Sequence, residues 1–244
     1  GPGRLVQSLS LSSYDAWIKL YRRDENFANS GVNYYTKGAL VAWLLDGEIR
    51  KATAFKRSLD DVMRAAYEKY SGDCGFTETQ FRQVISDVAG TDMSEWLARH
   101  VDGTDDLDFS TVFELYGLRF KPMKAPEASG PQEEDPWYGA PKPRYGFETS
   151  DTEGRLVVKS VTAGDPAAEA GLNAGDELIA VQGVRVTPSN YEARLKGFRP
   201  GESLEFLVAR RDSIMTLKVT PKAPPEYEWS VEADPDANDA QVTR

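Results

Sequence analysis

Two hydrophobic rhythms divide this chain. Up to about residue 119 the apolar positions recur at helical spacing, and from about residue 144 they alternate. In 12–22, Tyr14, Trp17, Ile18 and Tyr21 form one stripe behind Ser12 or Ser13 as a cap, which predicts a helix. A longer helix is predicted over 33–51. Its apolar residues (Leu40, Val41, Trp43, Leu44, Leu45, Ile49) lie almost all round it, the pattern of a helix buried on most sides. Ser58-Leu59-Asp60-Asp61 and Thr77-Glu78-Thr79-Gln80 read as capping boxes opening two further helices, the first ending near Tyr70 and the second at Gly90. Short helices are expected over 94–101 and 109–116, with Gly117 as the stop.

Beyond residue 144 the period is two. Leu204, Phe206 and Val208 alternate with polar neighbours over 203–210, as do Leu217 and Val219 over 214–220, and 155–158 and 177–181 read as buried strands. Pro166 suits the first turn of a short helix ending at Gly171. A second helix over 189–196 places Tyr191 and Leu195 on one face. The expected fold class is α + β in two domains: an all-α part over 12–120, then a β-sandwich or barrel with two helices over 144–223. Gly1-Pro2-Gly3 reads as a tag remnant and 1–11 as a leader. Residues 121–143 carry six prolines and read as a linker onto which Trp137 and Tyr138 would fold back. Residues 224–244 are acidic and polar, a tail expected to lack structure.

The 244 residues suffice for two ordinary domains, and no apolar run is long enough to span a bilayer. A net charge of −10, spread along the chain, argues against nucleic acid as a partner. One cysteine, Cys74, excludes an internal disulfide and reads as a structural thiol. Asp102, Asp105, Asp106 and Asp108 invite a calcium reading, but their spacing departs from the EF-hand loop and a solvated acidic turn is expected. The single histidine, His100, is expected to cap a helix end or face solvent. No targeting segment fixes the compartment, bacterial cytoplasm or periplasm.

The run Tyr145-Gly146-Phe147, Arg155-Leu156-Val157-Val158, Ala163-Gly164-Asp165-Pro166-Ala167-Ala168-Glu169-Ala170-Gly171-Leu172, Ala174-Gly175-Asp176-Glu177-Leu178-Ile179-Ala180-Val181 and Gly183 resembles the PDZ domains of bacterial proteases. That resemblance implies peptide binding by β-augmentation, with a strand added beside Phe147-Glu148-Thr149. The peptide's terminal carboxylate would be held by backbone N–H groups of Tyr145, Gly146 and Phe147. Tyr191 and Leu195 would wall the groove or pack into the domain's own core; both readings stay open.

A second resemblance rests on Asn33-Tyr34-Tyr35-Thr36-Lys37-Gly38-Ala39-Leu40 and Leu44-Leu45-Asp46-Gly47-Glu48-Ile49-Arg50. This stretch is similar to the glycyl aminopeptidase family of zinc metallopeptidases, in which a thermolysin-like catalytic domain precedes a PDZ domain. The resemblance implies that Tyr35 hydrogen-bonds the oxyanion of a tetrahedral intermediate, with Tyr34 the alternative by one position. The family's His-Glu-x-x-His zinc motif is absent from this chain. The expectation is therefore a C-terminal piece of a larger enzyme: inactive alone, without a cofactor of its own, its zinc held by a missing N-terminal half. Apolar helix faces near Tyr34, Tyr35 and Trp43 would then be exposed, or covered by self-association. The competing reading is a non-catalytic PDZ adaptor that binds protein C-termini.

Overall fold

The computed structural model describes residues 1–73, 75–124, 143–225, 227–238 and 241. The expectations placed on Cys74, Trp137, Tyr138 and most of the proline-rich stretch lie outside these residues. By internal packing the chain divides into two compact units. One takes Gly3–Arg23, Ser30–Lys121 and the residues from Ser230; the other takes Gly1–Pro2, Asp24–Asn29 and Pro122–Trp229.

The helices begin where the capping chemistry says they should. After a short 3-10 turn at Pro2–Leu5, α1 (Leu9–Tyr14) starts behind Ser8, whose hydroxyl accepts from Leu11 N. A single turn, α2 (Phe27–Ser30), precedes α3 (Tyr34–Ala52), which Asn33 caps by accepting from Tyr35 N. Both capping boxes form, at Ser58/Asp61 for α4 (Leu59–Tyr70) and at Thr77/Gln80 for α5 (Glu78–Ala89). α6 (Ser94–Leu97) runs into a π-helical turn, Ala98–Asp102, and α7 (Ser110–Tyr116) stops at Gly117. Leu45 and Ile49 of α3 meet Val62 and Ala66 of α4, Val84, Ile85 and Ala89 of α5, and Leu97 of α6 in one buried cluster.

The helix expected over 12–22 is cut short. Asp15 is buried and accepts from Gln7 Nε2 at 2.9 and 3.1 Å, while Gln7 Oε1 accepts from Val32 N. That polar network holds the chain at Asp15, and the residues after it continue as turns. Gly3 approaches the chain closely: a Cβ on it would lie 2.0 Å from Gly31 O.

The second unit is an open antiparallel sheet, not a closed barrel. After β1 (Leu118–Lys124) come β2 (Phe147–Thr152), β3 (Arg155–Val161), β4 (Glu177–Val181), β5 (Val184–Arg185), β6 (Leu204–Arg210) and β7 (Ser213–Val219). The order is β2-β3-β4-β6-β7, with β5 beside β4, so β2 and β7 lie at the edges. A single bridge between Arg144 and Lys222 joins the segments flanking those edges. α8 (Pro166–Glu169) and α9 (Tyr191–Lys196) supply the two expected helices. The core gathers Tyr145, Leu156, Val158, Leu172, Leu178, Val181, Leu204, Phe206, Val208 and Val219, the inward set of the alternating pattern.

The acidic end of the chain departs from expectation. Tyr227–Ala233 is a strand, β8, paired with β1. Glu232 accepts from Arg119 at 2.8 Å and from Lys121 at 2.7 Å, and Asp234 N donates to Gly117 O. A charged residue that reads as tail in isolation thus has two cationic partners more than a hundred residues upstream.

Candidate functional site

Three phenols converge at the N-terminus of α3. Tyr21 Oη lies 2.9 Å from Tyr35 Oη and 3.4 Å from Tyr34 Oη, and the Tyr34 and Tyr35 rings stack with centroids 4.2 Å apart. Asn33 creates this arrangement by starting the helix one residue before two consecutive tyrosines, so the side chains fan apart by about 100° per residue. Tyr35 is 60% exposed while Tyr34 is half-buried. Hydrogen bonding with Tyr21, then with Tyr34, pulls the Tyr35 phenol below the ordinary tyrosine range; hydrogen bonding with Tyr21, then with Tyr35, pushes the Tyr34 phenol up. Tyr14, Trp17 and Ile18 stand exposed on the same stretch as Tyr21, with the Trp17 ring 5.0 Å from that of Tyr21. Trp43, expected at this surface, instead packs half-buried between Phe109 and Phe113.

Two residues after Tyr35, Lys37 is buried with an Nζ that meets no hydrogen-bond partner among the described residues. Desolvation lowers its pKa, against a smaller opposing pull from Asp106. His100 is also buried, not a surface cap. Its ring stacks on Trp96 with centroids 4.4 Å apart, and Nδ1 donates to Trp96 O. The four clustered aspartates each have a protein partner: Asp102 with Arg82, Asp105 with Arg99, Asp106 with Arg4, and Asp108 with Ser110 N. Among the described residues no three His, Cys, Asp or Glu side chains gather as a metal site, and no helix is long and apolar enough to cross a membrane. The residues present do not fit a catalytic zinc.

The other candidate site lies along β2. Gly146 holds φ at +82°, and a Cβ there would sit 2.1 Å from Asp165 Cβ. Asp165 in turn binds Arg144 at 2.8 Å. Gly146 O accepts from Thr162 N and Tyr145 O accepts from Ala167 N, which fixes both carbonyls of the loop. Among the described residues Gly146 N–H meets no acceptor. Phe147 starts β2 opposite Val161, and a bulge separates Glu148 from Thr149. Glu148 is exposed, within 3.8 Å of Lys159, and Thr149 is half-buried. Tyr145 is buried, and its phenol, pushed up by burial, donates to Leu195 O at 2.9 Å. That bond ties the loop to α9. Leu195 itself belongs to the core, whereas Tyr191, one turn earlier, is half-buried and keeps exposed area.

Sequence reasoning placed the candidate peptide site on the β2 residues and did not single out Tyr21, Asp165 or Asn29 for the contacts described here. Asn29 Nδ2 donates to Val161 O at 2.7 Å, and its Oδ1 accepts from Ala163 N at 2.8 Å. Both contacts cross more than 130 residues, and no local signal announces them.

Comparison with known proteins agrees with this layout. Residues 1–41 match the M61 glycyl aminopeptidase family model, a stretch that includes Gly1-Pro2-Gly3, and residues 143–220 match the PDZ domain. An aminopeptidase N family protein from Idiomarina loihiensis has a solved structure that superposes with a TM-score of 0.74 at 25% identity, over 99% of this chain and 41% of that one. A Brucella suis protein assigned by name to the zinc metalloproteases is 33% identical over 78 residues, 32% of this chain and 20% of its own length. A Mesorhizobium japonicum protein named in the same way is 35% identical over 66 residues, 27% of this chain and 18% of its own. The chain thus spans about two fifths of the Idiomarina protein and a fifth of the Brucella one. The segment similar to the M61 glycyl aminopeptidase model precedes the one that matches the PDZ domain.

Proposed function

We propose that this chain supplies two parts of a zinc-dependent aminopeptidase: a phenol for the transition state and a groove for peptide ends. The observation that carries the reading is the exposed Tyr35 hydroxyl in a three-phenol cluster, inside the segment that matches the glycyl aminopeptidases. A phenol aimed at an oxygen that gains negative charge during amide hydrolysis supplies about 3 kcal/mol of differential stabilisation. Zinc, in such an enzyme, supplies the activated water. No residue here holds it, so the chain alone is inactive and a part bearing His-Glu-x-x-His completes the site. The exposed face of Tyr14, Trp17 and Ile18 is surface of the kind such a part, or a second copy, would cover.

Peptide binding follows from the edge position of β2. An extended segment adds antiparallel to Phe147-Glu148-Thr149, its carboxylate accepting from Gly146 N–H, with Tyr191 on the facing helix. In the working enzyme this module presents or selects chains for the zinc site.

The test has two arms. Titration of the chain with peptides ending in a free carboxylate gives micromolar binding that disappears when the terminus is amidated. In the complete enzyme, Tyr35→Phe lowers kcat on glycyl substrates about a hundredfold with KM unchanged. An adaptor without catalysis passes the first arm and has no activity to lose in the second, and its reading frame carries no His-Glu-x-x-His upstream.

A further inference from the structure

Tyr21 was read from sequence as one member of an apolar stripe, yet its hydroxyl touches both tyrosines of α3. We infer that Tyr21 is a positioning residue for Tyr35: it gives its one proton to the Tyr35 oxygen and so leaves the Tyr35 O–H free to point outward at an anionic oxygen. A hydroxyl carries one proton and two lone pairs, so Tyr21 donates to one neighbour and accepts from the other. The contacts are 2.9 Å to Tyr35 and 3.4 Å to Tyr34, and in each either oxygen can be the donor; the inferred order gives the donation to Tyr35 and the received bond to Tyr34. The chain then reads Tyr34 O–H to Tyr21 O–H to Tyr35 O–H, ending at the most exposed of the three hydroxyl-bearing rings. Each member is polarised by the one before it.

This direction has chemical consequences. A phenol that accepts a hydrogen bond is a stronger acid and a better donor, because its developing negative charge is already stabilised. Tyr35 therefore becomes the sharpened donor, and Tyr34, which would lose a bond it donates, becomes the weaker acid; the opposite displacements of their acidities agree. The groups that set the acidity of Tyr35 are the phenols of Tyr21 and Tyr34 and its own slight desolvation, with no charged side chain among the causes. The Trp17 ring, 5.0 Å from that of Tyr21, holds the latter in place without competing for its hydroxyl.

The inference deepens the aminopeptidase reading and rests on it for its purpose, but its test requires no turnover. The 244-residue chain is labelled with ζ-carbon-13 tyrosine, signals are assigned by single Tyr→Phe variants, and the three phenols are titrated to high pH. Tyr35 should ionise before Tyr34. Tyr21→Phe keeps the ring against Trp17 and should weaken Tyr35 as an acid by roughly threefold to tenfold. If Tyr35 titrates at the same pH in Tyr21→Phe, or Tyr34 ionises first, the inference is overturned. Should Tyr21→Phe perturb folding, Trp17→Leu separates the effects: it loosens the ring but keeps the hydroxyl, so the acidity of Tyr35 should change less than in Tyr21→Phe, and an equal change counts against the inference. Failure of the aminopeptidase reading shows itself elsewhere, as retained kcat in Tyr35→Phe, and leaves these titrations as they are.

Discussion

Asp176 and Arg210 form a two-pronged ion pair inside the sheet unit, with Nε and Nη2 each 2.7 Å from a carboxylate oxygen. The carboxylate is only 1% exposed, and it also accepts from Asn173 N, while Nη2 reaches Gly171 O. The pair thus fastens the turn before β4 to the end of β6. Removing one partner leaves a buried charge unmatched. Arg210→Met should cost about 3 kcal/mol in urea unfolding of this unit, and Asp176→Asn somewhat less, since the amide still serves Asn173 N. Equal costs for the two would mean that the charge itself counts for little.

Asn29 splices an amide into the corner where β3 ends. Because it donates to Val161 O and accepts from Ala163 N, it behaves as one extra peptide unit beside the loop that positions Gly146. Asn29→Ala should raise amide exchange at Thr162 and Ala163 and destabilise the corner by about 1 kcal/mol. Asn29→Asp keeps the acceptor but sets a carboxylate oxygen against Val161 O, so it should be the more damaging of the two. Nuclear magnetic resonance exchange rates at these two amides decide the order.

Gly146 should not tolerate a side chain. Its positive φ costs a non-glycine residue about 1–3 kcal/mol, and the new Cβ would meet Asp165 far inside contact distance. Gly146→Ala should therefore displace the loop from Asp165 and weaken carboxylate-ended peptides at least tenfold, with calorimetry as the measure. Unchanged affinity would remove Gly146 N–H from the binding site.

Much of this architecture was legible because its causes are local. Asn33, Ser58/Asp61 and Thr77/Gln80 cap helices from within four residues, and the alternation of Leu204, Phe206 and Val208 names its own buried face. What escaped depends on distant partners. β8 reads as acidic tail until Arg119 and Lys121 meet Glu232, and the stripe through Trp17 and Tyr21 reads as helix until Gln7 takes Asp15. A peptide site was expected at Tyr145–Thr149 from the resemblance to PDZ domains, whereas the coupling of Tyr21 to Tyr35 had no sequence signal beyond the residue types themselves.

Lys37 offers the most direct check on the interior of the helical unit. Its side chain is 6% exposed, and its Nζ has no hydrogen-bond partner among the described residues. An ammonium held that way costs free energy, so the folded chain binds its proton less tightly than the unfolded chain does. The sign follows: over pH values between the lowered folded pKa and the ordinary value of 10.5, the unfolded state carries more protons, and stability from this group rises with pH. Below that window the penalty is present in full. Lys37→Met keeps the length and removes the charge; at neutral pH it should stabilise the unit by about 1 kcal/mol or more, and the advantage should shrink as pH climbs toward 10.5. Denaturant unfolding of both proteins at neutral and alkaline pH makes the comparison, with the tyrosines common to both cancelling in the difference. A Met variant that is less stable at every pH would mean that Lys37 has a partner whose attraction exceeds its desolvation, with Asp106 the first to substitute.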